Sequence, residues 1–573
     1  MLAAVAGAIL LTWLACAAIL VGLGSLALRG FRDVFSLSDA FWFGLIVAVV
    51  LLEFWNLVFP ITALPDVVLT CAAALGAYLN RAWLAEKLNI LASHRLILAA
   101  FVAIAVIIAL RCAGPCEYYD TGLYGAPAIR WIRTYPVVFG LANLHGRLGF
   151  ASSVFLCLAA VGQGPWKNLY FHLFAGLMLC AFWTAILPAS ARILRHAEPT
   201  SADWFRALLI IPASVWSARS SVVGTTTDEP SAILCLIAGA ILFSRLERRA
   251  PAEATAPSAC LKIVLAATLF TLAVTFKLSV VVFAFLGWIL AFALLYSLPR
   301  ASRYVRAAFV AAGALLAPWI ATQVILSGYP FFPNSLFGLP VDWRVPNGIA
   351  PLYTLWVQSW ARIPFSKVAE TRGFSWLHPW FHAAIRDRAS FQVPIAIALG
   401  GAAILAFARS SHQADEPRRL AGLWLLLPAL AAILFWFWMG PDVRFAQAPI
   451  WTLAVILGSL AIVAIQRRVP VLRPRVLAAL LLLPMAWCLF SFGWRHSYRV
   501  LESVDGFIEL PQPRVAPRSS LSGVVVYVPV EGNQCWDAPL PCTPYFNKTL
   551  RLRDPSDMRW GFTSEGFPEF PPY

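Results

Sequence analysis

Continuous runs of apolar residues dominate the chain, and short segments that carry Arg and Lys separate them. Unbroken apolar runs are typical of helices that cross a bilayer, whereas a transmembrane β-barrel would show apolar and polar residues in alternation. The pattern predicts an all-α polytopic membrane protein with about 14 transmembrane helices, several of them short enough to be tilted or broken. The predicted spans are 3–28, 39–59, 66–80, 96–110, 168–190, 205–218, 231–245, 261–275, 279–297, 306–326, 392–408, 421–438, 446–465 and 476–493.

Composition supports this interpretation. Sixty per cent of the residues are hydrophobic, 13% are charged and the mean hydropathy is +0.74, which excludes an ordinary soluble protein. The net charge of +16 would suit nucleic-acid binding in a soluble chain. Here the basic residues lie between apolar runs, so we expect membrane lipid, and no nucleic acid, as a partner.

The basic residues also predict the topology. With the N-terminus outside, the short connections on the inner side hold 22 Arg and Lys, and the short outer connections hold three: Arg219, Lys277 and Arg444. This asymmetry follows the positive-inside rule and places both termini outside. The chain then divides into N-terminal transmembrane helices (1–110), a first large outer loop (111–167), a transmembrane core (168–326), an outer lid loop (327–391), C-terminal transmembrane helices (392–493) and an extracytoplasmic tail (494–573).

Each outer segment has a distinct pattern. In the first loop, residues 122–134 have the spacing of a short amphipathic helix in the membrane interface, and 150–161 suit a re-entrant or interfacial helix. Frequent Pro and aromatic residues after 327 indicate a rigid lid. The run 523–530 predicts a β-strand, so we expect the tail to be a small α+β unit.

Four cysteines lie in the predicted outer segments. An oxidising compartment would allow disulfides between Cys535 and Cys542 and between Cys112 and Cys116, although the second loop is very short. Unpaired thiols are the alternative for both pairs.

Asp120 is the leading candidate for chemistry. It follows a span, and a carboxylate there can take a proton from a hydroxyl acceptor. The alternative is an N-cap of the helix that follows. Tyr119 and Tyr124, close by in sequence, are candidate sugar or lid contacts. Asp228 and Glu229 form a second acidic site that would bind an acceptor or a metal, with helix capping as the alternative. No cofactor is certain, and a divalent metal is left open.

Several outer residues suit a phosphate or a sugar. Lys277 and Arg444 are either membrane anchors or ligands for a lipid-linked phosphate, and His145 with Arg147 would form a similar clamp. Asp342, Trp343 and Arg344 would form a lid contact in which the Trp packs on a sugar; a structural Asp–Arg pair is the alternative.

The chain resembles the GT-C superfamily of multi-pass glycosyltransferases, which have an acidic residue in a first large outer loop with interfacial helices. The segments YYDTGLYGAPAIRWIR, GLANLHGRLGFASS, TFKLS, SGYPFFP, VDWRVP, PDVRFA and CWDAPLPCTPYF more closely resemble a family of bacterial polytopic membrane proteins associated with envelope polysaccharide genes, over about residues 111–570. This chain has Gly125 where that family often has His, and more than the usual single span precedes Asp120.

The resemblance implies an enzyme of the bacterial inner membrane. It would move a sugar from a polyprenyl-phosphate donor to a glycan or lipid acceptor at the outer face, with Asp120 as general base and Lys277, Arg444 and Arg147 at the donor phosphate. The alternatives are an envelope polysaccharide polymerase or ligase, a transporter of lipid-linked oligosaccharide and a non-enzymatic scaffold. A transporter would place charges near the bilayer midplane, where Glu53 is the main candidate.

Overall fold

The computed structural model describes residues 2–31, 34–195, 199–247, 256–298, 301–408, 422–469 and 508–569, together with single residues at 476, 483 and 486. The described chain is mostly helical. Its α-helices are α1 (Leu2–Ala27), α2 (Leu37–Val58), α3 (Ala63–Leu79), α4 (Arg81–Ser93), α5 (Arg95–Cys112), α6 (Ala126–Thr134), α7 (Ser153–Val161), α8 (Phe174–Arg195), α9 (Ser201–Leu208), α10 (Ile210–Ala218), α11 (Asp228–Glu247), α12 (Ala256–Phe276), α13 (Val281–Tyr296), α14 (Ala301–Ser327), α15 (Ala350–Arg362), α16 (Leu377–Arg386), α17 (Val393–Ala408), α18 (Leu426–Met439) and α19 (Gln447–Arg468).

Ten helices within the described residues are long and apolar enough to cross a membrane. A bent pair, α3 and α4, adds an eleventh if it counts as one broken span, since its two halves meet at 83°. The chain is therefore a multi-pass membrane protein in architecture. The ten spans are Leu2–Ala27, Leu37–Val58, Arg95–Cys112, Tyr170–Arg195, Asp228–Glu247, Pro257–Phe276, Leu278–Tyr296, Ala301–Ser327, Arg388–Phe407 and Val443–Arg468.

The described residues do not contain all 14 predicted spans, and each difference has a local reason. The span predicted at 205–218 is split into α9 and α10, because Pro212 lacks the N–H that would bond to the carbonyl of Leu208. The span predicted at 421–438 is α18, whose 14 residues are short for a bilayer. The span predicted at 66–80 belongs to the bent pair, and that at 476–493 lies outside the continuously described residues.

Small residues allow the first helices to pack closely. Gly24 of α1 lies directly against the backbone of Ala40 in α2, and Gly44 of α2 lies against that of Leu20 in α1. A Cβ at either glycine would overlap a backbone carbonyl, so the crossing requires glycine, as in close helix pairs within membranes. Helix α12 packs between α11, α13 and α14, and α17 packs along α19.

The segment between α5 and α7 covers one end of the bundle, which we call the loop end. Backbone hydrogen bonds fix it there: Ile61 N–H donates to the carbonyl of Ile132 (2.9 Å), and Gly140 N–H donates to that of Ile325 (2.8 Å). The helix predicted at 122–134 is a π-helical turn, Thr121–Gly125, that continues into α6. We call this segment the covering layer. Thr225 N–H, just before α11, donates to the hydroxyl of Thr121 in this layer (3.0 Å), so the N-terminus of α11 lies beside it.

Residues 508–569 form a small unit, the tail unit, on this covering layer. It contains two antiparallel hairpins, β1 (Val515–Ser519) with β2 (Val525–Pro529) and β3 (Arg551–Leu552) with β4 (Phe562–Thr563). Strand β2 falls within the predicted strand 523–530. The expectation of an α+β unit is not met in residues 508–569, whose helical structure is one 3-10 turn, because frequent prolines remove backbone donors and disfavour α-helix.

Candidate functional site

Asp120 lies where the chain turns from α5 into the covering layer. It precedes the π-helical turn Thr121–Gly125, but its side chain accepts no capping hydrogen bond and its backbone is already helical (φ −65°, ψ −20°). The capping alternative therefore does not describe Asp120. The residue is 7% exposed, and a buried carboxylate requires partners other than water.

Two arginines supply those partners. Arg444 Nη1 lies 3.0 Å from Asp120 Oδ2, and Arg147 Nη1 lies 3.9 Å from Oδ1. Burial alone would raise the pKa of the Asp120 carboxyl, but the positive charges of Arg444, Arg147 and Lys277 outweigh burial and hold that pKa below its ordinary value. Asp120 is consequently an ionised carboxylate at neutral pH.

Tyr118 links Asp120 to Asp228, the first residue of α11. The Tyr118 hydroxyl lies 3.3 Å from Asp120 Oδ2 and 3.2 Å from Asp228 Oδ2. Burial and these two carboxylates raise the pKa of Tyr118 well above its ordinary value, so the phenol keeps its proton and can donate it to either carboxylate.

Lys277 lies in the break between α12 and α13 and is the third cation near these carboxylates. Its Nζ contacts Asp228 Oδ1 and lies 4.4 Å from the ring centre of Phe445. On the other side, Asp442 accepts from Arg444 Nε at 2.8 Å. We call this set the Asp120 cluster: Tyr118, Asp120, Arg147, Asp228, Lys277, Asp442 and Arg444.

Glu229 belongs to a neighbouring but separate network. Its carboxylate accepts hydrogen bonds from the hydroxyls of Ser221 and Thr226, both at 2.6 Å, and Arg219 Nη1 lies 3.7 Å away. The carboxylates of Asp228 and Glu229 therefore face different partners, although they are adjacent in sequence. Within the described residues, no group of three or more His, Cys, Asp or Glu side chains is arranged to hold a metal ion.

Among the three cations of the cluster, Arg147 lies farthest from its carboxylate partner. Its guanidinium lies over the rings of Trp356 (4.9 Å) and Tyr124 (5.6 Å), and its Nε has no hydrogen-bond partner among the described residues. His145, two residues earlier, points elsewhere: its ring packs on Tyr545 of the tail unit at 5.2 Å. Burial is the main cause, and the charge of Arg147 the second, that lowers the pKa of His145 to about 3. The imidazole is therefore neutral at pH 7 and lacks the positive charge that a phosphate clamp would use.

The tail unit holds the turn that follows Asp120. Trp536 N–H donates to the carbonyl of Gly122 (2.9 Å), and Gln534 Nε2 donates to that of Tyr119 (2.9 Å). A Cβ at Gly122 would lie 2.5 Å from the Trp536 ring, so the contact requires glycine. The Tyr119 side chain is 49% exposed.

The three predicted lid residues have a different role from the one expected. Asp342 pairs with Arg553 of the tail unit (2.7 Å), not with Arg344. The Trp343 ring packs edge-on with the Phe139 ring, their centres 4.8 Å apart, and the Arg553 guanidinium lies 4.9 Å from the centre of the Trp343 ring. Side chains of the protein therefore already contact the ring that was predicted to pack on a sugar. Arg344 lies against Gly328 through its own backbone and stem. These residues join the lid to the tail unit and are not part of the Asp120 cluster.

The cysteines divide into two cases. Cys535 and Cys542 are joined, with the sulfur atoms 2.03 Å apart, and the loop that they close carries Trp536. The predicted bridge between Cys112 and Cys116 is absent, and both are free. Cys112 lies at the end of α5 with its thiol 3.9 Å from the carbonyl of Val222, whereas Cys116 bonds to Thr121, so the two thiols point to different neighbours.

Sequence reasoning did not single out two members of the cluster. Tyr118 precedes Asp120 by two residues, and Asp442 precedes Arg444 by two residues, where it caps the 3-10 turn Val443–Ala446 by accepting from Arg444 N–H (3.1 Å). An acid two residues before an arginine at the start of a span was the available signal for Asp442.

Comparison with known proteins places the chain in a family. No curated protein and no solved structure matches it. A family model described as a domain of unknown function, DUF8201, matches residues 7–451. That range is more than half of the chain and contains every member of the Asp120 cluster. The chain belongs to the DUF8201 family.

Proposed function

We propose that this protein is a membrane glycosyltransferase. It transfers a sugar from a polyprenyl-phosphate donor to a hydroxyl of a glycan or lipid acceptor at the outer face of the bacterial inner membrane, with Asp120 as general base. The observation that carries the proposal is the convergence of a buried carboxylate and three cations from distant parts of the chain: Asp120, Arg147, Lys277 and Arg444. The resemblance to GT-C enzymes supports the same reading.

The cluster has groups suited to both ends of such a reaction. As the acceptor oxygen attacks the anomeric carbon, its proton passes to the Asp120 carboxylate while the bond from that carbon to the donor phosphate breaks. The leaving phosphate gains negative charge at that moment, and fixed cations stabilise developing charge more in a buried site than in water. Attack opposite the leaving group inverts the anomeric configuration.

Charge balance favours Arg147 as the first phosphate ligand. Each of Lys277 and Arg444 has a close carboxylate partner, whereas Arg147 approaches Asp120 only to 3.9 Å. A phosphate brings new negative charge, so one cation must turn from a carboxylate to the ligand. Arg147 loses least by doing so, because its contact with Asp120 is the longest of the three pairs.

The location at the outer face rests on the charge pattern. Asp120 follows the C-terminus of α5, Asp228 opens α11 and Lys277 follows the C-terminus of α12, so the cluster lies at the loop end. The opposite helix ends carry basic residues such as Arg195 and Arg245, which the positive-inside rule assigns to the cytoplasm.

Turnover tests the proposal directly. The purified full-length chain in nanodiscs receives radiolabelled polyprenyl-phosphate sugars and a membrane-lipid extract as acceptor, beside Asp120→Asn. The matched control is Glu531→Gln, an exposed carboxylate in the tail unit. We expect a new labelled product from wild type and the control and none from Asp120→Asn.

The same assay separates the alternatives. A polymerase or ligase would use the cations without needing Asp120, so full activity in Asp120→Asn would favour that class. Wild-type protein that binds lipid-linked sugars yet transfers none would favour a transporter.

A further inference from the structure

Two histidines face each other on α16, the short helix near the end of the lid loop. His378 and His382 are four residues apart, a spacing that places two side chains next to each other on one face of an α-helix. Their Nε2 atoms lie 3.1 Å apart, and the ring centres lie 4.5 Å apart with the ring planes at 68°. Both residues are exposed. The two nitrogens therefore lie side by side at the surface, where one ligand can reach both.

The packing of α16 fixes the side of the helix that carries these histidines. Trp380 and Ala384 are buried on the opposite side. The Trp380 ring packs edge-on against the rings of Trp436 and Phe437 in α18, with centres 5.9 and 5.3 Å apart. Rotation of the helix would expose this aromatic surface to water, so the two imidazoles keep facing outward.

The separation of the two nitrogens matches ligands that share one metal ion. Zinc binds a histidine nitrogen at about 2.0–2.1 Å. Two such nitrogens lie about 3.0 Å apart when their bonds to the metal meet at a right angle, and about 3.4 Å apart at the tetrahedral angle. The observed 3.1 Å lies between these values. Two histidines at positions i and i+4 of a helix are also the pair that binds zinc in the H-E-x-x-H motif.

A hydrogen bond between the two rings is the alternative explanation of this distance. A neutral imidazole has one N–H and one lone pair, so one ring can donate to the other. The gain is small for exposed rings, because each nitrogen can bond to water instead. A metal ion uses the lone pairs of both rings, and its second bond forms within one molecule, which raises the affinity strongly. The two explanations therefore differ in whether both rings are needed to bind a metal.

The chemistry of the ligands restricts the metal. Imidazole suits zinc, copper and nickel, whereas magnesium and calcium prefer oxygen ligands. No third His, Cys, Asp or Glu side chain joins the pair among the described residues. Water or an outside ligand would fill the remaining positions, so the site is weaker and more open than a structural zinc site with four protein ligands.

We propose that His378 and His382 bind a divalent, imidazole-preferring metal ion such as Zn²⁺ through their Nε2 atoms. The ion joins consecutive turns of α16, whose ten residues are fewer than an isolated helix needs to be stable. This helix also contacts the edge of the Asp120 cluster, since Trp380 Nε1 donates to the carbonyl of Pro441 (2.5 Å), the residue before Asp442. The metal site contains no member of that cluster, so it stands independently of sugar transfer.

Titration with Zn²⁺ tests the site. The full-length chain is purified in an uncharged detergent without a polyhistidine tag and titrated with ZnCl₂ in a calorimeter at pH 7.5, beside His378→Ala and His382→Ala. We expect each variant to bind Zn²⁺ at least about tenfold more weakly, because one imidazole remains. His94→Ala, at the junction of α4 and α5, is the control and should bind like the wild type. Equal Zn²⁺ affinity in the wild type and both α16 variants would overturn the proposal.

Hydrogen exchange of the wild type provides a second test that does not depend on how the variants fold. A ligand that binds only the folded helix stabilises it, so free Zn²⁺ at ten times its Kd should slow amide exchange in Leu377–Arg386 by about tenfold. Excess EDTA should reverse this effect, and MgCl₂ should not produce it. Exchange in α16 that is the same with and without Zn²⁺ would mean that the two rings share only a hydrogen bond.

Discussion

Asp120 and Arg444 are 324 residues apart in the sequence, and their side chains lie 3.0 Å apart in the fold. The pair joins the covering layer to the start of the last described span. Both residues are also tied to other charges, Asp120 to Arg147 and Arg444 to Asp442. The ion pair therefore lies at the centre of a network of charged side chains. Removing one of these side chains leaves another charge without its partner.

The first prediction concerns this pair. Arg444→Gln should destabilise the protein by about 3–5 kcal/mol, because it leaves a buried carboxylate with one distant cation. Asp120→Asn in the same chain should recover part of that loss, so the double variant should melt at a higher temperature in detergent than the sum of the single effects predicts. Arg514→Gln, in an exposed pair, is the control and should change little. Strict additivity would show that the two residues are not coupled.

The second prediction concerns the contact between Gly122 and Trp536. Gly122→Ala should cost about 1–3 kcal/mol, since the new methyl group would overlap the indole ring. Trp536→Gly added to it should restore part of the stability by removing the ring. Gly400→Ala in α17 is the matched control: a Cβ there meets nothing within 4 Å, and alanine favours helix. Melting temperatures of the four proteins measure the effect, and an equal loss in both glycine variants would argue against the overlap.

The third prediction concerns the disulfide that closes the loop around Trp536. Replacing both Cys535 and Cys542 by Ser should cost about 2 kcal/mol, the loop entropy expected for a separation of seven residues. Limited proteolysis should then cut residues 508–569 faster than in the wild type. Reductant should reproduce this effect in the wild type and have no further effect on the Ser variant. Equal cleavage of the oxidised and reduced wild type would mean that the bridge does not hold the loop.

The fourth prediction concerns pH and His145. Burial lowers the pKa of His145 to about 3, while an unfolded histidine titrates near 6.5. Between these values the unfolded chain binds more protons than the folded one, so this residue makes stability fall as the pH is lowered from about 6.5 toward about 3, by up to about 1.4 kcal/mol per pH unit. His145→Phe keeps a ring on Tyr545 and should remove this part of the slope.

Melting temperatures measured from pH 4 to 8 test the effect. The same slope in wild type and His145→Phe would mean that His145 does not titrate on unfolding.

Local patterns predicted the helices better than the number of spans. The run at 39–59 coincides with α2, because one uninterrupted apolar segment of that length has a single favourable arrangement in a membrane. The run at 205–218 was also predicted as one span, yet it forms two short helices around Leu209. Hydropathy does not register a backbone break near Pro212, which is one reason why the described residues contain fewer spans than the sequence predicts.

The candidate site was predictable residue by residue but not as an assembly. Asp120, Lys277 and Arg444 were singled out because ionisable groups near membrane helices are costly and retained for a purpose. Their mutual distances depend on how α11, α12 and α19 pack, which sequence periodicity does not encode. Trp343 was singled out for a sugar contact, but the fold packs its ring against Phe139 and Arg553.

The tail unit has a consequence for biogenesis. Residues 508–569 are translated after every described span, and Trp536 and Gln534 then bind the turn that carries Asp120. While the chain is still on the ribosome, the membrane helices can be inserted and packed with that turn uncovered. The turn around Asp120 thus gains these two contacts only after residues 534–536 have been made, when every described span already exists.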